Sequence, residues 1–255
     1  MTAASSLSLP RRVLRSRAVK PLLFVLCLLP FAGLFWRGWT NDLGPNPEQT
    51  VIWTTGLWAL RLLLITLSVT PLRKLTVWAE LARFRRMFGL FVFFYALLHF
   101  TAWLGLVNGF SVDMALRDVV KHPFVLAGMT ALLLMTPLAL TSTNGMIRRL
   151  GARRWQALHR LVYVVGVVAV FHFWWGKLAK NNTASPTVYA LILALLLGLR
   201  LWWAWRAAQA RRTQLHRARA SDDQSNDPIG KQVGKQVTNQ VGKQVVNQGK
   251  SRSLA

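Results

Sequence analysis

Apolar residues in this chain come in six long runs, at residues 22–36, 51–70, 87–107, 123–141, 159–176 and 187–205. Short segments rich in arginine or in polar residues separate them. A helix needs about 20 residues to cross a bilayer, with about 17 as a lower limit, and five of the six runs meet that length. The first is short and contains Pro30. Arg11, Arg12, Arg15, Arg17 and Lys20 precede it, so it could pass for a signal peptide. Arg37-Gly38-Trp39 follows it, however, with no small-residue cleavage site. It reads as an uncleaved first helix. The pattern predicts an all-α protein, a polytopic membrane bundle of six transmembrane helices.

The basic residues orient that bundle. They crowd into alternate segments: the N-terminal arm, then Arg73, Lys74, Arg83, Arg85 and Arg86, then Arg148, Arg149, Arg153 and Arg154, then Arg206, Arg211, Arg212, Arg217 and Arg219. The opposite loops hold only Arg37, then Arg117 and Lys121, then Lys177 and Lys180. Under the positive-inside rule both termini are cytoplasmic, and the expected location is a bacterial cell inner membrane. The division that follows is a basic arm at 1–20, a membrane domain at 21–205 and a basic tail at 206–255. Residues 230–250 of the tail read GKQVGKQVTNQVGKQVVNQGK, a degenerate four-residue repeat without aromatics. Such a segment buries too little apolar surface to fold alone and is expected to be disordered.

Composition agrees. Hydrophobic residues make up 53% of the 255 residues and charged ones 16%, against about 25% charged in soluble domains. The net charge of +24 raises nucleic acid as a partner, but its placement in alternate loops argues for the lipid bilayer and against nucleic acid. One cysteine, Cys27, lies in the first run. It allows no intrachain disulfide and reads as a small apolar residue facing lipid or a neighbouring helix.

The candidate chemistry lies in histidines. His99 is in the third run, and His159 and His172 are in the fifth. Ionisable groups inside a membrane are costly and usually functional, and neutral imidazole is a standard axial ligand of haem iron. His99 and His172 fall at matching depth toward the outer side, where they could clamp one haem. His159 lies thirteen residues before His172, roughly 20 Å along a helix, with Arg85 and no second histidine at its level. An inner centre there could be a weakly ligated haem, a flavin pocket or a quinone pocket. His122 precedes Pro123 and reads as a capping or interface residue; His216 sits in the basic tail and reads as solvated.

Arg61 stands mid-way along the second run, where a central arginine costs about 2.5–3.5 kcal/mol on insertion scales. With no acid in any predicted helix, a haem propionate or a quinone oxygen could partner it, or it could snorkel or bond backbone carbonyls. Arg200 is near enough to the inner end to snorkel. No G-x-G-x-x-G, Walker or Cys-pair motif is present. About fifty polar residues after the sixth run are too few for a dinucleotide-binding domain, which typically takes 100 or more. Electrons are therefore expected from a membrane quinone or a separate flavoprotein, not from NAD(P)H directly.

The stretches TPLR (70–73), RRMFGLFVFFYALLH (85–99), LALTSTN (138–144) and RRWQALHRLVY (153–163), with His172 beyond them, resemble the MsrQ/YedZ family. These are haem-binding membrane subunits of the periplasmic protein-methionine-sulfoxide reductase system, within the ferric-reductase-like transmembrane group. The resemblance covers roughly residues 20–205. It implies haem b, FMN in at least some members, quinone-derived electrons and a periplasmic molybdopterin-containing catalytic subunit that reduces methionine sulfoxide in proteins. It carries the haem-associated histidines over to His99, His159 and His172. On that reading the chain is an electron-transfer subunit, not catalytic alone. The competing readings are a stand-alone cytochrome b-type quinone or metal reductase and a transporter with the histidines as a proton relay.

Overall fold

A computed structural model describes residue 14 and residues 16–178, 183–226, 232 and 236–242. Arg11, Arg12, Arg15, Lys180 and most of the 230–250 repeat lie outside the described residues. The described chain is helical and holds no strand. Six helical stretches are long and apolar enough to cross a membrane, so the protein is an all-α, multi-pass membrane bundle.

The first is α1 (Val19–Trp39), followed by α2 (Pro47–Thr76). A 3-10 turn (Ala79–Phe84) leads into α3 (Arg85–Ala102), which loosens into a π-helical turn at Trp103–Val107. Then come α4 (Val112–Lys121), α5 (Pro123–Leu140), α6 (Asn144–His159), which is broken by a non-helical kink at Gly151 (φ 75°, ψ 152°), and α7 (Leu161–Leu178). The last, α8 (Ala184–Asn226), has 43 residues, about twice a membrane span. It passes the expected boundary at 206 without a break, because Ala, Arg, Gln and Leu there are all good helix formers. By compactness the chain divides into Met1–Arg200 and Leu201–Ala255. In the second unit the described side chains are almost all exposed, and the Arg206 guanidinium lies 4.2 Å from the Trp202 ring centre.

Two helices had no counterpart among the six runs. Both start at a hydroxyl cap: Ser111 Oγ accepts from Met114 N at 3.4 Å to open α4, and Thr143 Oγ1 accepts from Met146 N at 3.2 Å to open α6. The fifth run was expected to be helical from 159. Instead His159 ends α6, and the spanning helix α7 begins at Leu161.

Within the first unit, α2 packs closely on α3 and α5 on α7. Leu63 and Leu67 of α2, Phe91 and Val92 of α3, Val165 of α7 and Leu193 of α8 fill the centre. Gly166 lets Leu193 and Leu67 approach α7 closely, as small residues do where membrane helices cross. The reverse faces carry Leu22, Phe24, Leu29, Leu133 and Leu191, all more than 45% exposed. That much contiguous apolar surface suits lipid and not water. Cys27 is buried against the neighbouring helices.

Candidate functional site

The antiparallel course of α2, α3, α5 and α7 creates two distinct ends. At one lie the beginnings of α2 and α5 and the ends of α3 and α7; there His99 (α3) meets His172 (α7). Their ring centres are 6.0 Å apart, with planes at 80°. His99 Nδ1 is 2.8 Å from the Ile52 carbonyl oxygen, and His172 Nδ1 is 2.6 Å from that of Phe124. A carbonyl only accepts, so each Nδ1 carries the proton. The neutral ring then presents an unprotonated Nε2. Metal-ligating imidazoles commonly donate their other ring N–H to a carbonyl in this way. Each histidine thus does bond a neighbouring helix, and does so with the nitrogen that ligation does not need.

This donor pair fits haem. Two imidazoles bound to one metal at about 2 Å each stand roughly 6 Å apart, ring centre to ring centre. Among the described residues no cluster of three or more His, Cys, Asp or Glu could hold a bare ion. Two axial donors and no third suit a metal whose remaining ligands come with a macrocycle.

The other end is basic. Arg73, Arg85, Arg86, Arg160, Arg200 and His159 line a cavity of about 500 Å³, with no Asp or Glu in its wall. The His159 ring stacks on Trp155, centres 3.9 Å apart. Its Nδ1 lies 3.1 Å from the Trp155 carbonyl, and Ser142 Oγ is 3.4 Å from Nε2. That hydroxyl also donates to the Leu138 carbonyl at 2.7 Å. Trp155 is pinned in turn by donating to the Thr141 carbonyl at 2.9 Å. His159 is therefore remote from the histidine pair and shares its cavity with Arg85, the level match expected from spacing.

Arg200 does not snorkel. It turns inward, donating to the Tyr163 hydroxyl at 2.6 Å and to the Leu67 carbonyl, and its Nε is buried without a partner among the described residues. Arg61 is not in that wall. Its Nε donates to the Tyr189 hydroxyl at 3.1 Å, and its guanidinium lies 4.9 Å from the Trp58 ring centre.

Sequence reading missed a latch over the histidine-pair end. Asp118 of α4 accepts from Trp103 Nε1 and pairs with His122 Nδ1, each at 2.8 Å. His122 makes no side-chain cap on α5; its interface is with α4. The signal available was Ser111 followed by apolar Val112, Leu116 and Val120 at helical spacing.

Membrane-length helices around a close pair of imidazoles define an integral membrane bundle with a candidate metal-binding centre. The family described as "Ferric reductase like transmembrane component" matches residues 55–170, from α2 into α7. Three relatives narrow this further, each named "Protein-methionine-sulfoxide reductase heme-binding subunit MsrQ". That of Ralstonia nicotianae is 50% identical over 76% of this chain and 89% of its own length. That of Polaromonas naphthalenivorans is 49% identical over 76% and 89%. That of Bordetella pertussis is 48% identical over 78% and 99%. The chain belongs to the MsrQ family. No solved structure matches it.

Proposed function

We propose that this protein is the haem b-containing electron-transfer subunit of a methionine-sulfoxide reductase system, passing electrons from membrane quinone to a periplasmic catalytic partner. The observation that carries the reading is the His99–His172 pair, 6.0 Å apart with both Nδ1 atoms committed to carbonyls. Bound there, haem would supply one-electron chemistry within the low-dielectric bundle. His99 and His172 would hold its iron by Nε2 from opposite helices, and the Ile52 and Phe124 carbonyls would keep both rings in the donating tautomer. This leaves the chain without a substrate-reducing site of its own. The chemistry on oxidised methionine would belong to the partner, taken from the family resemblance to carry molybdopterin.

Electron entry is proposed at the basic end. A cavity of about 500 Å³ walled by five arginines and no acid supports an anionic occupant, such as the phosphate of FMN or the propionates of a second haem. His159 and Arg85 would contact it. Arg61, held by neutral partners, is proposed as a further cation near the cofactors. Positive-inside bias supports the basic end facing the cytoplasm of an inner membrane, with the histidine pair toward the periplasm.

The test is haem per protein, with ferric and ferrous spectra, after confirming membrane insertion of each variant. His99→Ala and His172→Ala should each lose most low-spin haem, because either removes an axial bond. His159→Ala should keep it. Full low-spin haem in either of the first two would overturn the assignment.

A further inference from the structure

The two iron-facing histidines are seated by the same device, used twice. His99 bonds the carbonyl of Ile52, and a Cβ added to Gly56, four residues on, would come within 2.8 Å of His99 Nδ1 and 2.9 Å of its Cε1. His172 bonds the carbonyl of Phe124, and a Cβ on Gly128, again four residues on, would come within 2.8 Å of His172 Cε1 and 3.0 Å of its Nδ1. In a helix the Cα–Cβ bond leans toward the N-terminus, so a side chain at position i+4 covers the flank of the carbonyl at i. That carbonyl has a second lone pair beyond its helical bond. The imidazoles of His99 and His172 lie where the side chain of the residue one turn later would stand, and that residue is a glycine in both cases. Gly33 and Gly198, also in membrane-length helices, have nothing within 4 Å of an added Cβ, so close approach is not a general property of glycines in this bundle.

We infer that Gly56 and Gly128 are positioning residues for the haem-ligating histidines. Each opens a notch that gives one imidazole access to a backbone carbonyl and thereby fixes the tautomer and the direction of Nε2. The proposal rests on the reading that His99 and His172 bind haem iron. A methyl group at either glycine meets the face of a ring held between two helices, and neither backbone can yield without disturbing its helix pair. The ring must turn away, losing its carbonyl bond and its aim.

The experiment has two arms. In the first, Gly56→Ala, Gly128→Ala and the controls Gly33→Ala and Gly198→Ala are compared for low-spin haem per inserted protein. The notch variants should fall by about fivefold or more, the range that overpacking by one methyl produces, with the controls at wild-type level. In the second, thermal stability of haem-free protein in detergent is measured for wild type, Gly128→Ala, His172→Ala and the double variant. The clash exists only while the ring is present, so Gly128→Ala should destabilise the wild type and be nearly neutral beside His172→Ala. The same holds if Gly128→Ala alone fails to fold while the double variant folds. Equal damage in both backgrounds, or wild-type spectra in both notch variants, would overturn the proposal. Low-spin haem persisting in His172→Ala would instead overturn the haem assignment, and the second arm would still report on the notch.

Discussion

Arg200 lies toward the inner end of an apolar run and is partly buried, where a charge costs free energy unless it is paired. Its Tyr163 and Leu67 contacts meet part of that cost and leave Nε unmatched among the described residues. No acid in the surrounding wall meets the rest. An anionic occupant of the cavity would do so with charge-assisted hydrogen bonds, each contributing about 1.5–3 kcal/mol. Arg200→Leu should therefore weaken retention of an inner anionic cofactor by roughly ten- to a hundredfold, with folding preserved because leucine suits the same site. The measurement is cofactor released on washing the purified protein. Unchanged retention would mean that the occupant bears no charge near this residue. Arg61 contrasts with it, since a tyrosine hydroxyl and an indole face are its partners and the cavity wall excludes it.

At the scale of elements, α1 is tied to α3 by one hydroxyl. Tyr95, almost fully buried, donates to the Cys27 carbonyl at 2.7 Å and accepts from Phe31 N at 3.1 Å. These are the two ends of a single helical rung beside Pro30, and a side chain entering that ladder is a recognised cause of local opening. Tyr95→Phe should lower the thermal midpoint by a few degrees, in line with about 1 kcal/mol for a buried hydrogen bond. An unchanged midpoint would show that the rung closes on itself without cost. Five of the six spanning stretches were legible because their runs have the length and continuous apolarity that a bilayer requires, and the first, a short run, because no small-residue cleavage site follows it. The short helices α4 and α6 were not, since 10 and 16 residues of mixed polarity fall below the length at which composition alone decides. Their caps and their packing on α5 and α7 decide instead.

Within the first unit, the basic segments at residues 73–86 and 148–160 and the histidine pair fall at opposite ends of the bundle. The proposed orientation, with the basic end cytoplasmic, follows the positive-inside rule. The native Cys27 is buried, so single cysteines introduced at Asn46, Lys121 and Ala152 can be labelled against a quiet background; all three positions are exposed. Asn46 and Lys121 should react with an impermeant reagent added to the periplasmic side, and Ala152 only after the membrane is opened. The reverse pattern would place the histidine pair on the cytoplasmic side and remove the proposed route to a periplasmic partner.

Sequence alone determined the helical class, the number of spans and the expected depth of His99, His172, His159 and Arg85. Those follow from local properties: the length of an apolar run, the sign of a loop and the rise of 1.5 Å per residue. Only the tertiary structure decided which carbonyls hold the histidine rings and that Arg200 turns inward. It alone brought Arg73, Arg85, Arg86 and Arg160 around one cavity with His159. Each of these depends on side chains meeting across helices distant in sequence, such as Ile52 with His99 and Phe124 with His172. Hydropathy records how apolar a position is but not which neighbour it faces. Gly56 and Gly128 are the clearest case, since they read as neutral small residues until an imidazole is placed where their Cβ would be.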